Sequence, residues 1–149
     1  MTVDTSTHLA GHREIIEVLT RLYTLLDSLA AIEPHLAPRF SSSASGFHSP
    51  TVFNAEAASA AGFSAEAVNV LSALPYPDVG EHEMHTELQP STYPISYLGS
   101  DLNKNDFSSR RELLEDDLMP PSAIQLTWEE GGCGIAYIYD ADTSTDLQQ

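Results

Sequence analysis

Residues 80–87 read GEHEMHTE, the stretch of this chain richest in side chains that could do chemistry. His82 and His85 stand three apart among Glu81, Glu83 and Glu87. On a helix the two imidazoles would share a face, with Glu81 one turn before His85. Imidazole and carboxylate together suit zinc or another first-row divalent ion. The zinc-protease pattern, however, sets its histidines four apart with a glutamate directly after the first. HEMH is one residue short of that. A third ligand would have to come from His8, His12, His35 or His48, and no spacing selects one. The stretch therefore reads as a polar loop between Pro77 and Pro90, with no bound metal and no cofactor; His82 and His85 are the runner-up metal pair. His8 and His12 are also metal-compatible at i,i+4, but Gly11 and the position near the start point to a frayed first turn.

Other motifs fall short of a site in similar ways. GGCGI presents Cys133 in a turn, but a catalytic thiol needs a base beside it. The preceding Glu129 and Glu130 have the wrong charge to support a thiolate. DADTSTD opens like a calcium loop, yet Thr145 stands where that loop needs glycine, and its final glutamate would fall beyond Gln149. YIYDAD resembles the metal-holding element of sugar-nucleotide transferases, whose larger nucleotide-binding sheet has no counterpart here. No GxSxG, P-loop or Gly-rich dinucleotide fingerprint occurs. Arg110 and Arg111 are the only paired bases. They can grip a carboxylate or phosphate, or pair with Glu112, Glu115 and the acids nearby.

The composition narrows the function classes. The 149 residues suffice for one domain, with 1–7 and 144–149 expected to be flexible ends. Twenty-two acids against six bases give a formal charge of −16, which repels phosphate backbones and anionic lipid, so neither nucleic acid nor membrane is an expected partner. One cysteine permits no intrachain disulfide. The first residues, MTVDTSTHLAGHR, lack a basic start and an apolar run, so no signal peptide is read. These features point to a cytoplasmic protein.

The elements that would position any site are legible from periodicity. HREIIEVLTRLYTLLDSLAAI carries Ile15, Leu19, Leu22, Leu26 and Leu29 at helical spacing, widened by Ile16, Tyr23 and Ala30, and Pro34 ends it. Val18, Leu25 and Ile32 form a second, heptad-spaced row outside that stripe. Residues 33–53, with SSSASG, read as a loop. Asn54 caps AEAASAA, stopped by Gly62, and Ser64 caps AEAVNVLSAL, stopped by Pro75. Residues 75–107 form a long, proline-rich loop containing the short strand YPISYL. SSRRELLEDDL reads as a short helix capped by Ser108 or Ser109. AIQLTW and IAYIYD form a C-terminal hairpin around EEGGCG. Ile124, Leu126 and Trp128 are expected on one buried face. The return strand is apolar on both faces, which places it inside a sheet, and YPISYL is the best third strand.

The predicted fold is one α+β domain: a long N-terminal amphipathic helix and short helices packed on a small antiparallel sheet with a C-terminal hairpin. Its expected function is a non-enzymatic, intracellular binding or protein-interaction module with an acidic surface. The partner would be another protein or a second copy, in a dimer joined through Val18, Leu25 and Ile32. The alternative is a small enzyme or small-molecule-binding protein, with a pocket for a small apolar ligand between the 75–107 loop and the sheet. Tyr76, Tyr93, Tyr97, Trp128, Tyr137 and Tyr139 would line that pocket, and Arg110 and Arg111 would supply charge.

Four stretches in order, HREIIEVLTRLYTLLDSLAAI, GFSAEAVNVLSALPYPD, YPISYLGSD and IAYIYDADTS, resemble a group of small acidic proteins from filamentous fungi. In that group an amphipathic helix precedes an LPY segment, and an aliphatic–aromatic strand ends in aspartate. The resemblance implies a fungal, intracellular origin and carries no activity, cofactor or catalytic residue with it. GGCGIAYIYD also resembles, more weakly, a fragment of the SUKH superfamily of interaction domains, where a glycine-rich turn precedes a strand ending in aspartate. The upstream tryptophan and proline context is met in part, by Trp128 and LPY.

Overall fold

The apolar stripe near the N-terminus folds into helix α1, Arg13–Ser28, entered through a 3₁₀ turn at Ala10–His12. The computed structural model describes residues 9–29, 38–39, 46–77, 87–114 and 117–143. Ile15, Ile16 and Leu19 pack on the core, and Tyr23 is buried. Leu22 and Leu29, expected on the inner stripe, are exposed instead. Among the described residues the helix packs on the core through its first half, Leu26 is half-buried, and Leu29 just past its last turn is exposed. α1 also ends earlier than Pro34 requires, with the Ser28 hydroxyl donating to the Leu25 carbonyl (2.7 Å) in competition with continued helix.

The two capped helices form where their signals stand. Asn54 accepts from the Ala57 N–H (3.0 Å) to open α2, Ala55–Ala60. Ser64 accepts from the Ala67 N–H (3.1 Å) to open α3, Ala65–Ala73, which stops before Pro75. Gly62 leaves α2 at φ +91°, and a Cβ there would come within 2.5 Å of the Arg111 guanidinium. Both the left-handed backbone and the close approach exclude a larger residue. Alanines in both helices let them pack closely: Ala57, Ala58, Ala67 and Ala73 are all buried.

Further along, the expected helix at SSRRELLEDDL is replaced by two elements. α4 spans Lys104–Ser109, earlier than expected. Its start is set by a capping box in which Asn103 accepts from Asn105 while its own N–H donates to Asp106 (both 2.7 Å). That box satisfies helix donors upstream of Ser108, so the serines fall in the last turn. Beyond it the chain turns extended and forms an antiparallel pair, Glu112–Leu114 with Asp117–Leu118.

The strands are short and pair antiparallel throughout. In chain order they are β1 (Pro38–Arg39), β2 (Tyr76–Pro77), β3 (Thr92–Pro94), β4 (Glu112–Leu114), β5 (Asp117–Leu118), β6 (Ala123–Gln125), β7 (Thr127–Glu129) and β8 (Ile138–Asp140). β1 pairs with β2, β3 with β7, β4 with β5, and β6 with β8. The C-terminal hairpin is the β6–β8 pair, with Ile124 opposite Tyr139. The third strand is β3, with Tyr93 opposite Trp128. Leu126 joins the two ladders: its N–H donates to Tyr137 (2.8 Å) and its carbonyl accepts from Ile95 (3.0 Å).

This arrangement corrects the expected strand order. The central position belongs to the run β6–β7, and β8 pairs on one side only among the described residues. Ile135, Tyr137 and Ile138 are accordingly exposed, each by more than 40%. The polar residues of the central run are buried in their place. Thr127 Oγ1 donates to the Ile135 carbonyl (2.8 Å) and accepts from the Tyr137 N–H (2.9 Å). Gln125 donates to the Thr127 carbonyl (2.9 Å). Trp128, expected on the core face with Ile124 and Leu126, is only half-buried.

The core lies where α2, α3 and α4 meet β6 and the segment after β3. Val70, Leu71, Leu74, Tyr97, Phe107 and Ile124 have no exposed surface. Phe53, Phe63 and Tyr97 surround Phe107, with ring centres 6.1–6.4 Å apart. Phe53 and Phe63 present edges to it, the geometry favoured by the ring quadrupole. No helix among the described residues is long and apolar enough to cross a membrane.

Candidate functional site

Two places gather polar chemistry, and they differ in kind. The first is a groove of about 750 Å³ between α4–β4 and the central sheet. α4 contributes Asp106, and the turn after it contributes Arg110. β4 contributes Glu112, and β7 contributes Trp128 and Glu129. Pro94, Ile95 and Gln125 complete the sheet side. Trp128 stacks on Tyr93 with ring centres 4.7 Å apart and planes 22° from parallel. Their direct opposition in the β3–β7 ladder imposes that stack.

The far side of the stack is also acidic. The Tyr93 hydroxyl donates to Glu87 (3.0 Å) and lies 3.2 Å from a Glu130 carboxylate oxygen. The hydrogen bond to Glu87, followed by burial, pushes the phenol up to about 12, because the ionised form would face those carboxylates. Arg110 places its guanidinium carbon 5.2 Å from the centre of the Tyr97 ring. Glu112 and Glu129 are exposed, and neither makes an ion pair among the described residues.

The second place is a buried corner. His12 has no exposed surface. Its Nε2 lies 2.7 Å from a Glu66 carboxylate oxygen and its Nδ1 lies 2.8 Å from the Tyr139 hydroxyl. A neutral imidazole donating from Nε2 and accepting at Nδ1 satisfies both contacts, and the protonated ring can donate to both. The corner joins the entry to α1, the first turn of α3 and the end of β8. The frayed first turn expected at His12 is thus corrected: the residue is anchored by partners 54 and 127 positions away.

The residues picked out by sequence are spread over several environments. Trp128 and Arg110 meet in the groove. Tyr93 supports Trp128 from behind. Tyr76 and Tyr97 are core residues whose hydroxyls donate to the carbonyls of Leu71 (2.6 Å) and Gln125 (2.8 Å). Tyr139 bonds His12, and Tyr137 is exposed. Arg111 is buried and donates to the carbonyls of Ala61 (2.7 Å) and Met119 (2.6 Å), rather than to acidic side chains. Val18 and Leu25 are exposed on α1. Ile32, His8, His35, His82, His85 and Glu115 lie outside the described residues.

His48 is buried and its Nε2 bonds the Leu74 carbonyl (2.7 Å). Among the described residues no three His, Cys, Asp or Glu side chains gather around a common point suited to a metal ion. Asp140, read at a strand end, accepts from the Asp142 N–H (3.1 Å) and closes the turn after β8. Cys133 is exposed. Sequence reasoning did not single out Asp106, Glu129 or Glu66 as site residues. Only the Asn103–Asp106 capping spacing was a local signal, and it reports a helix start rather than a groove. No family model, curated protein or solved structure matches this chain.

Proposed function

We propose that this chain is a non-enzymatic intracellular binding or protein-interaction module with an acidic surface, and that its first partner is a second copy of itself. The observation that carries the reading is the outer face of α1. Val18, Leu22, Leu25 and Leu29 follow one another at helical spacing, and Val18, Leu25 and Leu29 are 52%, 55% and 67% exposed. Contiguous apolar surface is unfavourable in water by about 25 cal/mol per Å², and such patches mark interaction sites.

Charge favours a second copy on this face. α1 carries Arg13 and Arg21 against Glu14, Glu17 and Asp27, so it is nearly neutral in a chain of six bases and 22 acids. Two copies across a twofold axis would meet at nearly neutral helices and bury the same row on each. The buried histidine supports the non-catalytic reading. With no exposed surface and both ring nitrogens engaged, His12 has no access to a substrate.

Sedimentation at micromolar concentration tests the reading. A dimer is expected, tightening between low and moderate salt as the remaining like charges are screened over about 10 Å. Leu25→Glu should return it to monomer. A monomer at both salt concentrations, or an unchanged dimer in Leu25→Glu, overturns self-association. A second reading, a small-molecule-binding protein or small enzyme, is favoured by the groove volume alone. The carboxylates around it make it a poor home for an apolar ligand.

A further inference from the structure

We infer that the groove beside Trp128 is a docking site for an arginine-bearing segment of a protein partner. The inference rests on the reading of the chain as a binding module, but not on self-association through α1, which uses a different face. The groove lining brings together three features that suit an arginine-bearing peptide. Trp128 supplies an aromatic wall, held rigid because Tyr93 is stacked on it and is itself tied to Glu87 and Glu130. Glu112 and Glu129 supply exposed carboxylates on the groove lining. Asp106 adds a third, already oriented because it accepts from the Asn103 N–H in the capping box.

Charge complementarity selects the occupant. Three acids face one base, Arg110, so the lining is net negative, and it lies in the field of a chain carrying −16. An anionic guest would meet carboxylates on both walls. A guanidinium can lie flat on an aromatic ring and donate to carboxylates in its own plane, which a compact ammonium cannot do as well. The volume decides between a free guanidinium compound and a peptide. About 750 Å³ is far more than one planar cation fills, and suits a few residues of chain flanking the arginine.

Trp128 is the only tryptophan, so its emission reports on this groove and nowhere else. The full chain, held in about 0.15 M salt to screen the long-range field, is titrated with a capped pentapeptide with arginine at its centre. Matched peptides with lysine or glutamate there, and methylguanidinium, complete the series. The arginine peptide should shift the emission saturably, the lysine peptide more weakly, and the glutamate peptide not at all. Glu112→Gln with Glu129→Gln should weaken arginine-peptide binding about tenfold. Glu56→Gln with Asp101→Asn, which removes the same charge from exposed positions elsewhere, should leave it unchanged. Absence of a saturable shift overturns the site. Equal weakening in both double variants would mean that net charge rather than the groove attracts the peptide, and overturns it too. Methylguanidinium binding as tightly as the peptide overturns the protein partner. None of these results depends on whether Leu25→Glu dissociates a dimer.

Discussion

The His12 corner and the Trp128 groove are built from the same kinds of side chain, an aromatic or imidazole ring beside carboxylates, but they are put to opposite uses. In the corner each polar atom of the imidazole has a partner inside the chain, and the ring has no exposed surface. In the groove Glu112 and Glu129 are exposed, and the half-buried Asp106 is engaged in its helix cap. A polar cluster satisfied internally braces the fold, because removing one member leaves the others buried without partners. One left open to solvent contributes little to stability and is available to a guest. Two neighbours in sequence also differ in what they face. Arg111 is spent on main-chain carbonyls between α2 and the residue after β5, whereas Arg110 lines the groove.

The largest effect should come from the corner. His12→Ala removes both contacts and leaves a void among buried groups, and should destabilise the fold by about 3–4 kcal/mol. Urea unfolding monitored by circular dichroism measures it. A loss below about 1 kcal/mol would show that α1 is not held by this corner and would erase its contrast with the groove.

The arginine pair sharpens the comparison at smaller magnitude. Arg111→Met should cost about 2–3 kcal/mol, since it strips two buried carbonyls of their donors. Arg110→Met should cost about 1 kcal/mol, chiefly the contact of its guanidinium with the Tyr97 ring. Thermal unfolding of the two variants side by side gives the difference, and equal losses would place both residues in one structural role.

The smallest effect appears only in alkali. Burial pushes Tyr23 up to about 12, and the hydrogen bond to Glu87 does the same for Tyr93. Burial also raises Tyr76 and Tyr97. An unfolded tyrosine ionises near 10. The folded state therefore holds these protons more tightly than the unfolded state. The stability they contribute is fully present below about pH 10 and is lost as pH rises from 10 toward 12. Absorbance near 295 nm at pH 11 should report fewer tyrosinates in the folded chain than in urea. Tyr93→Phe should shrink that difference by one phenol, and no change would remove the hydrogen-bonded support assigned to Trp128.

Much of the fold was legible because its determinants are local. Asn54 and Ser64 each bond a backbone N–H three residues on, Gly62 ends α2 through its own backbone conformation, and Pro75 stops α3. None of these needs a distant partner. The hairpin and its third strand were readable for a related reason: alternation and turn residues act over a few positions, and the apolar strands had few other places to pair. Where two local signals competed, as between Asn103 and the serines at 108 and 109, the earlier cap won and shifted α4 by about one turn.

Long-range geometry decided the rest. Whether β8 is central or an edge depends on which strands arrive beside β6–β7, and Trp128 shares a face with the stacked Tyr93 opposite it but stays only half-buried there. His12 looked like part of a frayed end because Glu66 and Tyr139 are far from it in sequence. Arg111 was expected to seek acids nearby, yet burial beside Phe63 leaves it main-chain carbonyls instead. Sequence by itself thus determined the caps, the hairpin and the amphipathic helix, since those interactions close within a few residues. The tertiary structure alone decided which charged and aromatic groups are braces and which line an open groove, because burial and partnership belong to pairs of residues that only folding brings together.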